Sequence, residues 1–151
     1  MHILRGAAAA IVALTVGLAA QAQVNLEAAR TEVFAAERFF ARSMAERDLS
    51  AFARHIAADA VFFGNAAVQR GRDAVLAAWK PFFDSAQAPF SREPDQVEVL
   101  ASGDLALSTG PVRSAAGQVI ACFNSSWRRE SDDGRWRVVF DKGSPPDPPA
   151  K

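Results

Sequence analysis

Tyrosine is absent from this chain, cysteine occurs once and histidine twice. A lone Cys122 cannot close an intrachain disulfide, and its place inside an apolar run reads as a small buried hydrophobe. His2 lies in the extreme N-terminal stretch, which leaves His55 alone downstream. A His-based zinc site is therefore not expected, nor any other metal. Without tyrosine no phenolic hydroxyl can serve a pocket as donor or acid. The formal net charge is zero, and the Lys and Arg residues are dispersed among acids, so no nucleic-acid partner is expected. The glycines lack the spacing of a phosphate-binding loop or a dinucleotide fingerprint, and no cofactor is expected.

What the chain has in quantity is phenylalanine, 11 residues, with 3 tryptophans. It also has a leader. His2 and Arg5 precede an apolar run from Ala7 to Ala19, and Ala20-Gln21-Ala22 is a small-residue cleavage signature. Residues 1–22 read as a signal peptide, which predicts a periplasmic or secreted protein with no membrane attachment after cleavage. Residues 23–143 read as one α+β domain and 144–151 as a flexible proline-rich tail.

In order, Asn25 caps a predicted helix to about Arg47, with Leu26, Ala29, Val33, Ala36, Phe40 and Met44 on its apolar stripe and Glu37 among its solvated residues. A second helix starts at Asp48 or Ser50 and ends near Ala58. Asp59 introduces a strand over Ala60–Phe63, stopped by Gly64-Asn65. Val68 belongs to a return strand or an extended loop. A third helix begins near Asp73, with a kink or stop expected near Lys80, before Pro81. Residues 84–94 read as a loop with Phe90 as an isolated anchor. Strands follow around Val97–Ala101 and Leu105–Thr109, with Gly110-Pro111 ending or bulging the latter.

The stretch from Val119 to Asp141 is a hairpin around Ser131-Asp132-Asp133-Gly134. Pairing Arg129 with Trp136 and alternating side chains puts Phe123, Ser125, Trp127, Trp136, Val138 and Phe140 on one face. Cys122, Asn124, Ser126, Arg128, Arg137, Val139 and Asp141 fall on the other.

Several short motifs in this order resemble a known family: Asp48-Leu49-Ser50-Ala51-Phe52, Ala58 to Phe63, Gly71-Arg72-Asp73-Ala74-Val75, Ser102-Gly103-Asp104-Leu105-Ala106, and Trp127-Arg128-Arg129 facing Asp133 to Val138. They are similar to the nuclear-transport-factor-2-like superfamily, and within it to the SnoaL-like, ketosteroid-isomerase-like bacterial domains of unknown function. The resemblance implies a cone: a strongly curved antiparallel sheet wrapped around the N-terminal helices, with an apolar cavity at its open end. It also implies a homodimer formed through the sheet. The isomerase branch uses a carboxylate near the end of the first strand, with tyrosine and a protonated aspartate as oxyanion donors. Here that region reads Phe63-Gly64-Asn65 and no tyrosine exists, so steroid isomerisation is not expected.

Asp59, Asp141 and His55 are the candidate acid/base groups. Asp141 ends the last strand on the Asn124 side, where an ion pair with Arg137 or Arg113 competes with a catalytic role. Asp104 reads as a solvated turn acid. Phe63, Trp79, Phe83, Asn124, Trp127 and Phe140 are the candidate ligand-binding residues. Three functions remain open: a domain binding a small apolar or amphipathic molecule, which is preferred; a cofactor-independent isomerase, dehydratase or hydrolase using a pocket carboxylate; and a structural or interaction module acting through the sheet face.

Overall fold

The computed structural model describes residues 24–146. The signal peptide expected over 1–22 and the last five residues of the tail fall outside them. Helix α1 spans Leu26–Ala45, and Asn25 caps it by accepting a hydrogen bond from the Ala28 N–H at 2.9 Å. Its buried face is Ala29, Val33, Glu37, Phe40, Ser43 and Met44. Glu37 therefore lies inside the apolar stripe and not on the wet side assigned to it from charge alone.

Arg47 leaves α1 through the left-handed region at φ 62°. Helix α2, Leu49–Arg54, is capped by Asp48. It stops four residues earlier than its pattern suggests, and strand β1 (Ile56–Phe63) begins almost at once. The cause is tertiary: the Val138 N–H donates to the His55 carbonyl at 2.8 Å and draws this segment into the sheet. Strand β2 (Val68–Arg70) returns antiparallel to β1.

Helix α3, Arg72–Asp84, runs through Pro81 instead of stopping before it. Its last turn is held from outside. Phe83 is buried, and the Arg47 guanidinium donates to the carbonyls of Phe82 and Ser85. Carbonyls at a helix end lack partners within the helix, so this contact substitutes for the missing ones.

Strand β3 (Phe90–Arg92) lies in the stretch read as loop. Strands β4 (Gln96–Val99), β5 (Leu105–Ser114), β6 (Val119–Arg129) and β7 (Trp136–Ser144) complete the sheet. β5 continues through Gly110-Pro111. A Cβ at Gly110 would collide with the Glu93 carbonyl, so the glycine lets the β3–β4 connection pass close over β5. β7 extends three residues past Asp141 because β6 is long enough to pair with Lys142, Gly143 and Ser144.

The strand order is β2-β1-β7-β6-β5-β3, with β4 also on β5. This corrects the expected cone on two counts. The sheet is open and not strongly curled, because its path ends in two different three-residue strands, β2 and β3, which do not pair with each other. It is also mixed, since β1 and β7 run parallel.

The β6–β7 ladder has the expected pairing at its turn, Arg129 with Trp136, and then slips. Trp127 pairs with Val138, but Ser126 pairs with Phe140 and Ser125 with Asp141. Val139 is the extra residue of a bulge, and every side chain beyond it changes face. Phe140 turns outward and is 50% exposed, whereas Asp141 turns inward and is 7% exposed. The core lies between this inner face and the helices. Trp127, fully buried, meets the Phe40 ring edge-on at 5.9 Å, and Phe40 stacks on Phe52 at 4.6 Å.

Candidate functional site

A cavity of about 480 Å³ opens between the end of β1, helix α3 and the inner side of β5–β7. Phe63 comes from the end of β1, Gly64 and Asn65 from the β1–β2 turn, and Ala78, Trp79 and Phe82 from α3. Val112, Ala121, Cys122, Phe123, Asp141 and Gly143 come from the sheet, and Arg92 from β3. The walls are mostly apolar. Arg92 and Asp141 are the two charged side chains among the lining residues.

Those two belong to a buried cluster. Arg92 Nη1 donates to Asp141 Oδ2 at 3.1 Å, and Arg92 Nη2 lies 2.6 Å from Glu37 Oε1. The second contact is a close ion pair whose approach is too oblique for an aligned hydrogen bond. The Ser125 hydroxyl donates to Asp141 Oδ2 at 2.7 Å, and the Trp127 indole N–H donates to Glu37 Oε2 at 2.8 Å. The guanidinium lies 4.5 Å from the Phe40 ring centroid and 4.6 Å from that of Phe123, as a cation between two aromatic faces. Ser108 Oγ is buried beside the cluster without an aligned partner, and favours the ionised form of Glu37.

Burial raises the Glu37 carboxyl above its ordinary pKa. Arg92 opposes that rise and the Asp141 charge adds to it. For Arg92, burial pulls downward, and the Glu37 and Asp141 charges outweigh it, so the guanidinium holds its proton more tightly than usual. Two acids thus share one guanidinium.

The SnoaL-like domain family matches residues 33–148 of the sequence. The chain belongs to that family. Among solved structures, this SnoaL-like domain is similar to a nuclear-transport-factor-2-like protein of unknown function from Pseudomonas putida. The TM-score is 0.66 and the identity 25%, over 82% of this chain and 90% of that one. It is similar also to a cystatin-like fold protein from Burkholderia xenovorans, with TM-score 0.65 and 25% identity, over 83% and 97% of the two chains. A further protein of unknown function, from Shewanella oneidensis, shares the fold at TM-score 0.60 and 16% identity, over 76% and 97%. No curated protein matches the chain significantly.

Of the residues singled out from sequence, Asp141, Phe63 and Trp79 line the cavity of the SnoaL-like domain. Trp79 also packs into the core, 5.2 Å from Phe52 and 5.7 Å from Phe62. Phe83 is buried against Phe52 and does not line the cavity. Trp127 is core, held by Glu37. Phe140 is on the outer face beyond the bulge. Asn124 spends its amide elsewhere, donating to the Lys142 carbonyl and to Ser144 Oγ and accepting from Thr109. Asp141 therefore shares no face with Asn124, and its cation is Arg92, not Arg137 or Arg113.

Asp59 sits on the exposed side of β1 in a two-pronged ion pair with Arg128, at 2.8 and 3.1 Å. Its hydrogen bonds to Arg128 hold it below the usual carboxylate range. His55 faces a separate groove of about 460 Å³ with Phe39, Arg54 and Trp136. Burial, with help from Arg54 and Arg137, lowers its pKa to about 4. Among the described residues no group of three or more His, Cys, Asp and Glu could hold a metal ion.

Arg92 and Glu37 escaped the sequence reading. Glu37 had a signal: Val33, Glu37, Phe40 and Met44 recur at helical spacing, which places the carboxylate on the buried stripe. Arg92 had only the short alternation Phe90-Ser91-Arg92 inside loop-like composition.

Removing one partner of a buried charge cluster strands the others. Glu37→Ala is expected to cost about 3–5 kcal/mol of unfolding free energy. Glu37→Gln keeps the acceptor for Trp127 and costs clearly less. Urea unfolding at pH 7 compares them, and equal losses would contradict the charge account.

His55 makes a second prediction. From its ordinary 6.5 down to its folded value of about 4, the unfolded chain binds a proton that the folded chain refuses. Stability from this group is therefore present above pH 6.5 and lost as pH falls towards 4. Unfolding midpoints measured across that window should fall more steeply for the wild type than for His55→Gln. Glu37 acts in the opposite sense but equally in both proteins.

Proposed function

We propose that this domain binds a small amphipathic molecule in the cavity at α3 and β5–β7. The observation that carries the reading is the pairing of apolar walls with a charged floor. Phe63, Trp79, Phe82, Val112 and Phe123 offer apolar contact, while Arg92 and Asp141 sit together at its inner end. Ligand sites commonly combine a mostly apolar lining with a few fixed polar groups. Arg92 is held on its edges by carboxylates and on its faces by rings, so this floor is already organised before a ligand arrives. The signal-like leader supports action outside the cytoplasm.

The enzyme reading keeps one supporting observation: Asp141 is a carboxylate inside the cavity, where proton transfer to a bound molecule is geometrically open. Asp59 and His55 do not line this cavity. On the opposite sheet face, Leu107 and Phe140 are half exposed at ladder positions flanking Ser126. This apolar stripe supports a contact with a second copy.

Ala78 is exposed on α3 and lines the cavity, so Ala78→Trp fills the mouth without touching the core. The neutral fluorophore N-phenyl-1-naphthylamine should brighten on the wild type and not on this variant. Equal brightening on both proteins would place the apolar site elsewhere. For the sheet face, Phe140→Lys should shift sedimentation from dimer to monomer, and a wild type already monomeric at high concentration would remove the contact.

A further inference from the structure

The charged groups at the cavity bear on the charge of its ligand. Arg92 is its only lining cation among the described residues, and it is consumed. Glu37 and Asp141 take its two terminal nitrogens, and Phe40 and Phe123 cover its faces. An anionic ligand would have to displace one of two buried carboxylates. Asp141 is differently placed. Among the described residues both hydrogen bonds to its carboxylate, from Arg92 and from Ser125, arrive at Oδ2, and the side chain lines the cavity. Its second oxygen is left for a donor from the ligand.

Charge decides which donor. Two acids share one guanidinium in a buried cluster, and burial together with the Asp141 charge pushes Glu37 towards its neutral form, the sign that excess negative charge is costly there. An alcohol would satisfy Oδ1 without balancing that charge. A protonated amine does both, and the aromatic lining of Trp79 and Phe82 favours a cation with an apolar body. Lys142, the cation near the rim, rests 5.8 Å from the Phe63 ring centroid and does not line the cavity.

We propose that the ligand is an apolar amine, its ammonium group received by Asp141 and its hydrocarbon body lying against α3 and Phe123. This rests on the small-molecule reading of the cavity. Three matched probes test it: 1-naphthylmethylamine, 1-naphthalenemethanol and 1-naphthoate, titrated calorimetrically into the protein at pH 7. The amine should bind about tenfold or more tighter than the alcohol, a difference of about 1.4 kcal/mol, and the carboxylate more weakly than either. Asp141→Asn should abolish the amine's advantage while leaving alcohol binding in place. Glu37→Gln, which removes one of the two acids from outside the cavity, should shrink that advantage and provides the reading if Asp141→Asn does not fold.

Preference for the carboxylate, or an amine advantage that survives both variants, overturns the amine assignment and leaves the cavity reading standing. Failure of all three probes to bind overturns the cavity reading and the amine with it.

Discussion

Everything near the cavity depends on one buried guanidinium. Arg92 reaches from a three-residue edge strand to carboxylates on α1 and β7, and is clamped by rings from α1 and β6. A charge removed from water at several kcal/mol per ion requires its partners in place. That requirement sets the rotation of α1, because Glu37 must face the sheet. It ties β3, whose three residues all pair with β5, to α1 and β7 as well. It also requires the end of β7 to present an acid inward. Such clusters are poor devices for stability, since apolar residues of similar volume often do as well.

The inward acid is supplied by a bulge. With simple alternation after Arg129–Trp136, Phe140 would face the core and Asp141 the solvent side. Val139 is one residue too many for β6, and the two exchange places. A single unpaired residue therefore moves an aromatic ring to the outer surface and a carboxylate into the cavity. The same slip lets Asp141 meet Ser125, which holds one of its oxygens.

The family relationship narrows the fold more than the chemistry, because one fold carries many functions. The turn after β1, where an acid would suit the isomerase branch, contributes Gly64 and Asn65 to the cavity wall. The carboxylate here comes from the opposite end of the chain, on β7, and arrives paired with arginine. The solved relatives described above are themselves of unknown function or named only for their fold, so the distinction rests on the side chains of this domain.

Local patterns in the sequence determined the capped helices, the hairpin with Arg129 opposite Trp136, the α+β class and the family. Each follows from neighbours in the chain: a capping side chain three residues from its N–H, apolar residues at helical spacing, a turn between alternating strands. Even Glu37 was legible, once the spacing of Val33, Phe40 and Met44 is given more weight than its charge. Tertiary structure alone decided the start of β1, the parallel β1–β7 pair, the open sheet, the strand at Arg92 and the bulge at Val139. These depend on groups tens of residues apart, such as Val138 donating to His55 or Arg92 meeting Asp141. No local preference encodes which distant carboxylate will neutralise a buried arginine. That pairing exists only where β3, α1 and β7 come together.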